Sequence, residues 1–119
     1  VEHAYPVGII GWLVIILKRH AAALHELTQQ EFEELTKIQE QLTKLLAQKL
    51  NSQKEYLLCY AEKEGFQHIH FHLVSISKDL EKEYRGAHIF SLLGVGKEKA
   101  IPEPEVIEFC EILKKELDL

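Results

Sequence analysis

The sequence predicts an α+β fold, an antiparallel sheet with one long helix and a C-terminal helix packed on one face. Three observations carry the prediction. His68-Ile69-His70-Phe71-His72-Leu73 alternates polar and apolar residues, the period of a half-covered strand. Phe32, Leu35, Ile38, Leu42, Leu45, Leu46 and Leu50 recur at spacings of three and four, the period of an amphipathic helix. Between helix and histidines, Glu55 to Ala61 reads as a further strand, closed onto the next by the short turn Glu62-Lys63-Glu64-Gly65.

Taken in order, Val1 to Gly11 is punctuated by Pro6, Gly8 and Gly11 and reads as irregular. Trp12 to Leu17 is β-branched and aromatic, a central strand covered on both faces. It ends in the basic cluster Lys18-Arg19-His20. The long helix runs from Leu27 to Asn51. Thr28 is its N-cap, Glu31 completes a capping box, and Leu27 is placed to pack on Phe32 as a hydrophobic staple. Its apolar stripe is core rather than a binding face. Gln67 to Ser75 is the histidine strand, with His68, His70 and His72 on the open face. Ser77 to Gly86 is a charged loop, and Ala87 to Gly96 holds at most a helical turn around Ile89 to Leu93. Pro102 and Pro104 open the last helix, whose buried stripe is Val106, Phe109, Cys110, Leu113 and Leu117.

At 119 residues the chain is read as one domain, 1–119, large enough for a core without staples. Its net charge of −5 makes it a poor general binder of nucleic acid. A phosphate would need a local basic site, for which Lys18, Arg19, His20, the histidine strand and Arg85 are the candidates. The longest apolar run, Val7 to Leu17, is about half a membrane span, so no membrane partner is expected. Cys59 and Cys110 lie in apolar periodic segments and read as free thiols, which favours a reducing, cytoplasmic setting.

Imidazoles two residues apart on a strand sit about 6.5 Å from one another. Such a row supports nucleophilic attack on phosphorus, with one ring nitrogen unprotonated and the other held by a hydrogen bond that fixes the tautomer. It equally supports a metal site completed by His20 or His3, or a merely solvated face. Spacing alone leaves all three open.

His68-Ile69-His70-Phe71-His72-Leu73-Val74 resembles the signature of the histidine triad family, His-φ-His-φ-His-φ-φ with φ apolar. Gly11-Trp12-Leu13-Val14-Ile15, Lys18-Arg19-His20 and Leu27-Thr28-Gln29-Gln30-Glu31 resemble the family's upstream elements, in order. Arg85-Gly86 and Leu93-Gly94-Val95 resemble, less specifically, a bacterial branch. The resemblance implies a nucleoside phosphate hydrolase or nucleotidyl transferase that works through a covalent nucleotidyl-histidine. Its substrate would be a dinucleoside polyphosphate or a nucleoside phosphoramidate. His70 would be the nucleophile, His72 would contact the phosphate and assist the leaving group, His68 would orient the site, and His20 would join the network. Gly65 would bring backbone to the phosphate. The resemblance also implies a homodimer with no bound metal or cofactor, Mg²⁺ arriving only with a polyphosphate substrate. The alternatives are a catalytically weak nucleotide-binding module and a His-ligated metal protein. The sequence departs from the family in having Ser75-Ile76 where many relatives have Pro-Arg, and a short charged loop, Glu62 to Gln67, before the triad.

Overall fold

The computed structural model describes residues 1–65 and 67–117. Phe66, at the head of the histidine segment, lies outside the described residues.

The elements in order are β1 (Glu2–His3), β2 (Trp12–Ile16), α1 (Gln29–Leu50), β3 (Lys54–Leu58), β4 (His70–Ile76) and α2 (Glu103–Leu117). Short 3₁₀ segments cover Leu24–Glu26, Lys82–Tyr84 and Gly86–Leu92. The four strands form one antiparallel sheet in the order β1-β2-β4-β3. The continuously apolar β2 and the longest strand, β4, are the two central ones.

The helix start is the one the sequence encodes. Thr28 accepts from the Glu31 amide at 3.1 Å while the Glu31 carboxylate accepts from the Thr28 amide at 2.8 Å. Asn51 closes the helix with a left-handed backbone. Leu42 and Leu46 are fully buried in one core with Leu13, Ile15, Phe71 and Leu73 of the sheet and with Ile69 just before β4. Val106, Phe109 and Leu113 form the buried face of α2, and Phe109 and Leu113 join that core. Lys49 and Glu116 link the two helices at 3.1 Å. One member of the expected stripe departs from it: Phe32 is 42% exposed, while Leu27, its intended staple partner, is buried in the core.

Alternation along the strands sends the other parity to the opposite face. There the expectation of an open surface is corrected. Trp12, Val74 and Ile76 are buried beneath Val7, Ile89 and Leu92, a second apolar cluster contributed by the segments before β2 and after β4. Gly86–Leu92, read from the sequence as little more than loop, is the 3₁₀ segment that supplies this cover. The irregular N-terminal stretch likewise contributes β1, whose Glu2 and His3 pair with Val14 and Leu13.

Gly11 is where the chain must bend sharply into β2. Its φ is +90°, and a Cβ there would lie 2.5 Å from Leu50 Cδ1 and 2.9 Å from Ser75 Cβ. Only glycine fits both the conformation and the space.

Candidate active site

Register fixes which residues share the histidine face. Ile16 pairs with His70, Val14 with His72 and Trp12 with Val74, and on the other side Leu58 pairs with His72. The exposed end of this face is therefore the row of His70, with His72 one row deeper.

The three triad histidines are not equivalent. β4 begins at His70, so His68 precedes the strand rather than belonging to it, a correction to the expected Gln67 start. The reason is visible in its hydrogen bonds. The Ile69 amide donates to the Ala21 carbonyl at 2.8 Å, and the Ala21 amide donates to His68 Nδ1 at 3.2 Å. A nitrogen that accepts from an amide carries no proton. His68 Nε2 therefore carries it and donates to the Leu17 carbonyl. His68 is thus a neutral clamp that ties the exit of β2 to the start of β4, with both ring nitrogens engaged by backbone. It has no lone pair left for a metal.

His70 has the opposite tautomer. Its Nδ1 lies 2.9 Å from the His68 carbonyl oxygen, which can only accept, so Nδ1 carries the proton. In the neutral ring the lone pair then resides on Nε2. The condition for a nucleophilic imidazole, one nitrogen held and the other free, is met by backbone geometry alone.

His72 is 8% exposed, and its Nδ1 accepts from the Trp12 indole N–H at 3.0 Å. Nε2 consequently carries the proton in the neutral ring. Burial, with a smaller contribution from the neighbouring His70, pushes the His72 pKa down to about 4. The rings of His70 and His72 meet edge to face with centroids 5.0 Å apart, and His72 makes a second such contact with Phe90 at 5.3 Å. The chemistry available is a free imidazole nitrogen beside an N–H donor that stays neutral near pH 7, a set that can hold and attack a phosphoryl group.

The remaining candidates separate. His20 is exposed and stacks on His68, centroids 5.4 Å apart at 16°. It thus adjoins the triad through His68. Gly65 takes φ +81° with open space where a side chain would be, a turn glycine at the loop before the triad. Arg19 is committed elsewhere: it forms a two-point ion pair with Glu31 and donates to the Glu26 carbonyl. The Arg19 bond, followed by that from the Thr28 amide, holds the Glu31 carboxyl down to about 2. Arg85 is committed too, donating to the carbonyls of Leu80, Ser77 and Lys78 and to Gln53. Neither is a free phosphate ligand; Lys18 is exposed. His3, considered as a metal partner, sits on the helix-covered face, edge-on to Phe109, with Nε2 accepting from Gly11 and Nδ1 donating to Ala4. Among the described residues no group of three or more His, Cys, Asp or Glu is arranged to hold a metal ion. Cys59 and Cys110 are free and half-buried, and burial raises both thiols. No helix among the described residues is long and apolar enough to cross a membrane.

Sequence reasoning missed Trp12 and Phe90 as parts of the site. Trp12 was legible only as a strand residue, although it shares the parity of Val14 and Ile16. Phe90 lay in a segment with no period to read.

An antiparallel sheet backed by a long capped helix, with imidazoles in opposite fixed tautomers at the mouth of a central strand, defines a histidine-triad-like domain. Residues 2–88 match a family model described as "Scavenger mRNA decapping enzyme C-term binding", and the chain belongs to that family, a branch of the histidine-triad-like nucleotide-binding and hydrolase domains. No curated protein and no solved structure matches the chain.

Proposed function

We propose that the protein is a nucleoside phosphate hydrolase or nucleotidyl transferase that works through a covalent nucleotidyl-histidine on His70. The observation that carries this reading is the bond from His70 Nδ1–H to the His68 carbonyl, which leaves Nε2 as the free base. Nε2 attacks the α-phosphorus, a P–N bond forms, and the P–O bond to the leaving group breaks with its electron pair. The neutral His72 donates Nε2–H to a non-bridging phosphate oxygen. Water then adds to phosphorus, the P–N bond breaks, and a nucleoside monophosphate is released. In a transferase a second phosphate or alcohol takes the place of water.

The low pKa of His72 bears on the leaving group. An imidazole that is neutral at pH 7 cannot supply a full proton, so departure as a stable anion is favoured. A dinucleoside polyphosphate meets this requirement better than a phosphoramidate, whose amine must leave protonated. A family described by an mRNA decapping enzyme agrees with a nucleoside-linked phosphate substrate. His68 and His20 serve as positioning groups, and Gly65 keeps the approach to the phosphate clear of side chain. The 119 residues act as one unit, related to the bacterial branch of the superfamily. No resident cofactor is needed, and Mg²⁺ enters with polyphosphate. The setting is cytoplasmic. A homodimer is the expected assembly, consistent with exposed Leu57 on the edge strand β3 and exposed Ile107 on α2.

The test is His70→Ala with a dinucleoside polyphosphate as substrate. Hydrolysis is expected to fall on the order of a thousandfold or more. Brief incubation of wild type, quenched in alkali to preserve the P–N bond, should place the nucleotidyl group on His70 by mass spectrometry. Full activity of the variant, or an adduct on another residue, overturns the assignment.

A further inference from the structure

The row of His70 is bounded by two large apolar side chains that the chemistry so far described does not use. On one side Ile16 pairs directly with His70 and is 41% exposed. On the other, the ladder's hydrogen bonds end at Leu58, the partner of His72. Carried one row further, the same antiparallel register brings Tyr60 alongside His70. Two contacts agree with that placement. Cys59 sits against the His70 backbone, and the Tyr60 ring meets Phe90 at 5.5 Å and 64° while Phe90 meets His72 at 5.3 Å. Tyr60 is nevertheless 59% exposed. Its ring touches Phe90 while most of the residue remains in solvent, an arrangement that core packing does not require.

That register sets Ile16 and Tyr60 on either side of His70, about two strand spacings or roughly 10 Å apart. A phosphate at His70 Nε2 would leave whatever is attached to it beside the aliphatic Ile16 side chain and the phenol ring.

Resting on the nucleotidyl-histidine reading above, we propose that Tyr60 is the stacking platform for the nucleobase of the transferred nucleotide, with Ile16 as the opposing wall. The platform selects a broad aromatic ring and reads little of the base edge. Purine nucleotides should be preferred over pyrimidine ones, with adenine and guanine nearly alike. Base–aromatic stacking contributes on the order of tenfold in affinity per base, which sets the expected effect.

The experiment titrates AMP, GMP, CMP and ribose 5-phosphate into the full 119-residue protein and its Tyr60→Ala and Tyr60→Phe variants. Affinity is read by calorimetry, and occupancy of the site by the imidazole resonances of His70. Wild type should bind AMP and GMP within a few-fold of each other and ribose 5-phosphate about tenfold or more weakly. Tyr60→Ala should weaken AMP by roughly tenfold and leave ribose 5-phosphate unchanged, and Tyr60→Phe should bind AMP as wild type does. Because Tyr60 is exposed, its replacement does not threaten the fold. Equal affinity of wild type and Tyr60→Ala for AMP overturns the platform while leaving the nucleophile intact. If none of the four ligands moves the His70 resonances, the nucleotidyl-histidine reading itself fails and the platform fails with it.

Discussion

The indole N–H of Trp12 donates to Nδ1 of His72 at 3.0 Å, and the two rings meet edge to face with centroids 5.8 Å apart. A residue at the start of one central strand thus chooses which nitrogen of His72 faces the substrate. Trp12→Phe keeps much of the buried ring and removes the donor. The variant should lose about 1–2 kcal/mol of stability, since a buried acceptor is left unsatisfied. The tautomer of His72 is then no longer fixed, and turnover should drop about tenfold or more, most of it in kcat. Nitrogen chemical shifts of the His72 imidazole check the cause: wild type should show a single Nε2–H tautomer and the variant a mixture.

His68 tests the same logic from the backbone side. Its ring joins the Leu17 carbonyl to the Ala21 amide, and its own carbonyl holds His70. His68→Ala leaves two half-buried backbone groups unpaired and should cost roughly 2–3 kcal/mol in urea unfolding. Activity should fall less than in His70→Ala, because the nucleophile remains. A His68→Ala protein as stable as wild type would show that the clamp adds nothing to the β2–β4 ladder.

How much of this could be read from the sequence divides along the range of the interactions. Both ends of the long helix were legible, because each is set locally: Thr28 and Glu31 cap its first turn, and Asn51 closes its last. The apolar half of the triad strand was legible too: Ile69, Phe71 and Leu73 do face the helices. The start of β4 was not, because the amide of Ile69 is taken by Ala21, far away in sequence. Nor was the cover on the histidine face, which depends on Ile89 and Leu92 from a segment with no strand or helix period. The inequivalence of the histidines came from resemblance rather than spacing. Its physical basis, opposite tautomers set by the Ala21 amide, the His68 carbonyl and Trp12, appears only in three dimensions.

Gly11 carries a prediction about the fold itself. Gly11→Ala must place a methyl group against Leu50 and Ser75 in a left-handed backbone. Strain of about 1–2 kcal/mol from the conformation adds to overpacking of similar size. A loss on the order of 2–4 kcal/mol is expected in chemical denaturation. His3 should feel it as well, since its Nε2 accepts from the Gly11 amide.

Acid should weaken the fold through two histidines in a definite window. Burial is the main cause that lowers the pKa of both His72 and His3 below the ordinary value of 6.5, His72 to about 4. In the unfolded chain each titrates near 6.5, so as pH falls the unfolded state takes up protons first. Stability is therefore complete above about pH 6.5 and declines as pH drops, the His72 share being fully lost near pH 4. The loss has a structural meaning at each site: protonating Nδ1 of His72 breaks the Trp12 bond, and protonating Nε2 of His3 breaks the Gly11 bond. Urea midpoints measured at steps between pH 7 and pH 4 should fall continuously. His72→Gln, which cannot titrate, should show a shallower fall, with the His3 share remaining. An identical pH dependence in wild type and His72→Gln would mean that His72 is already protonated in the native protein near pH 6.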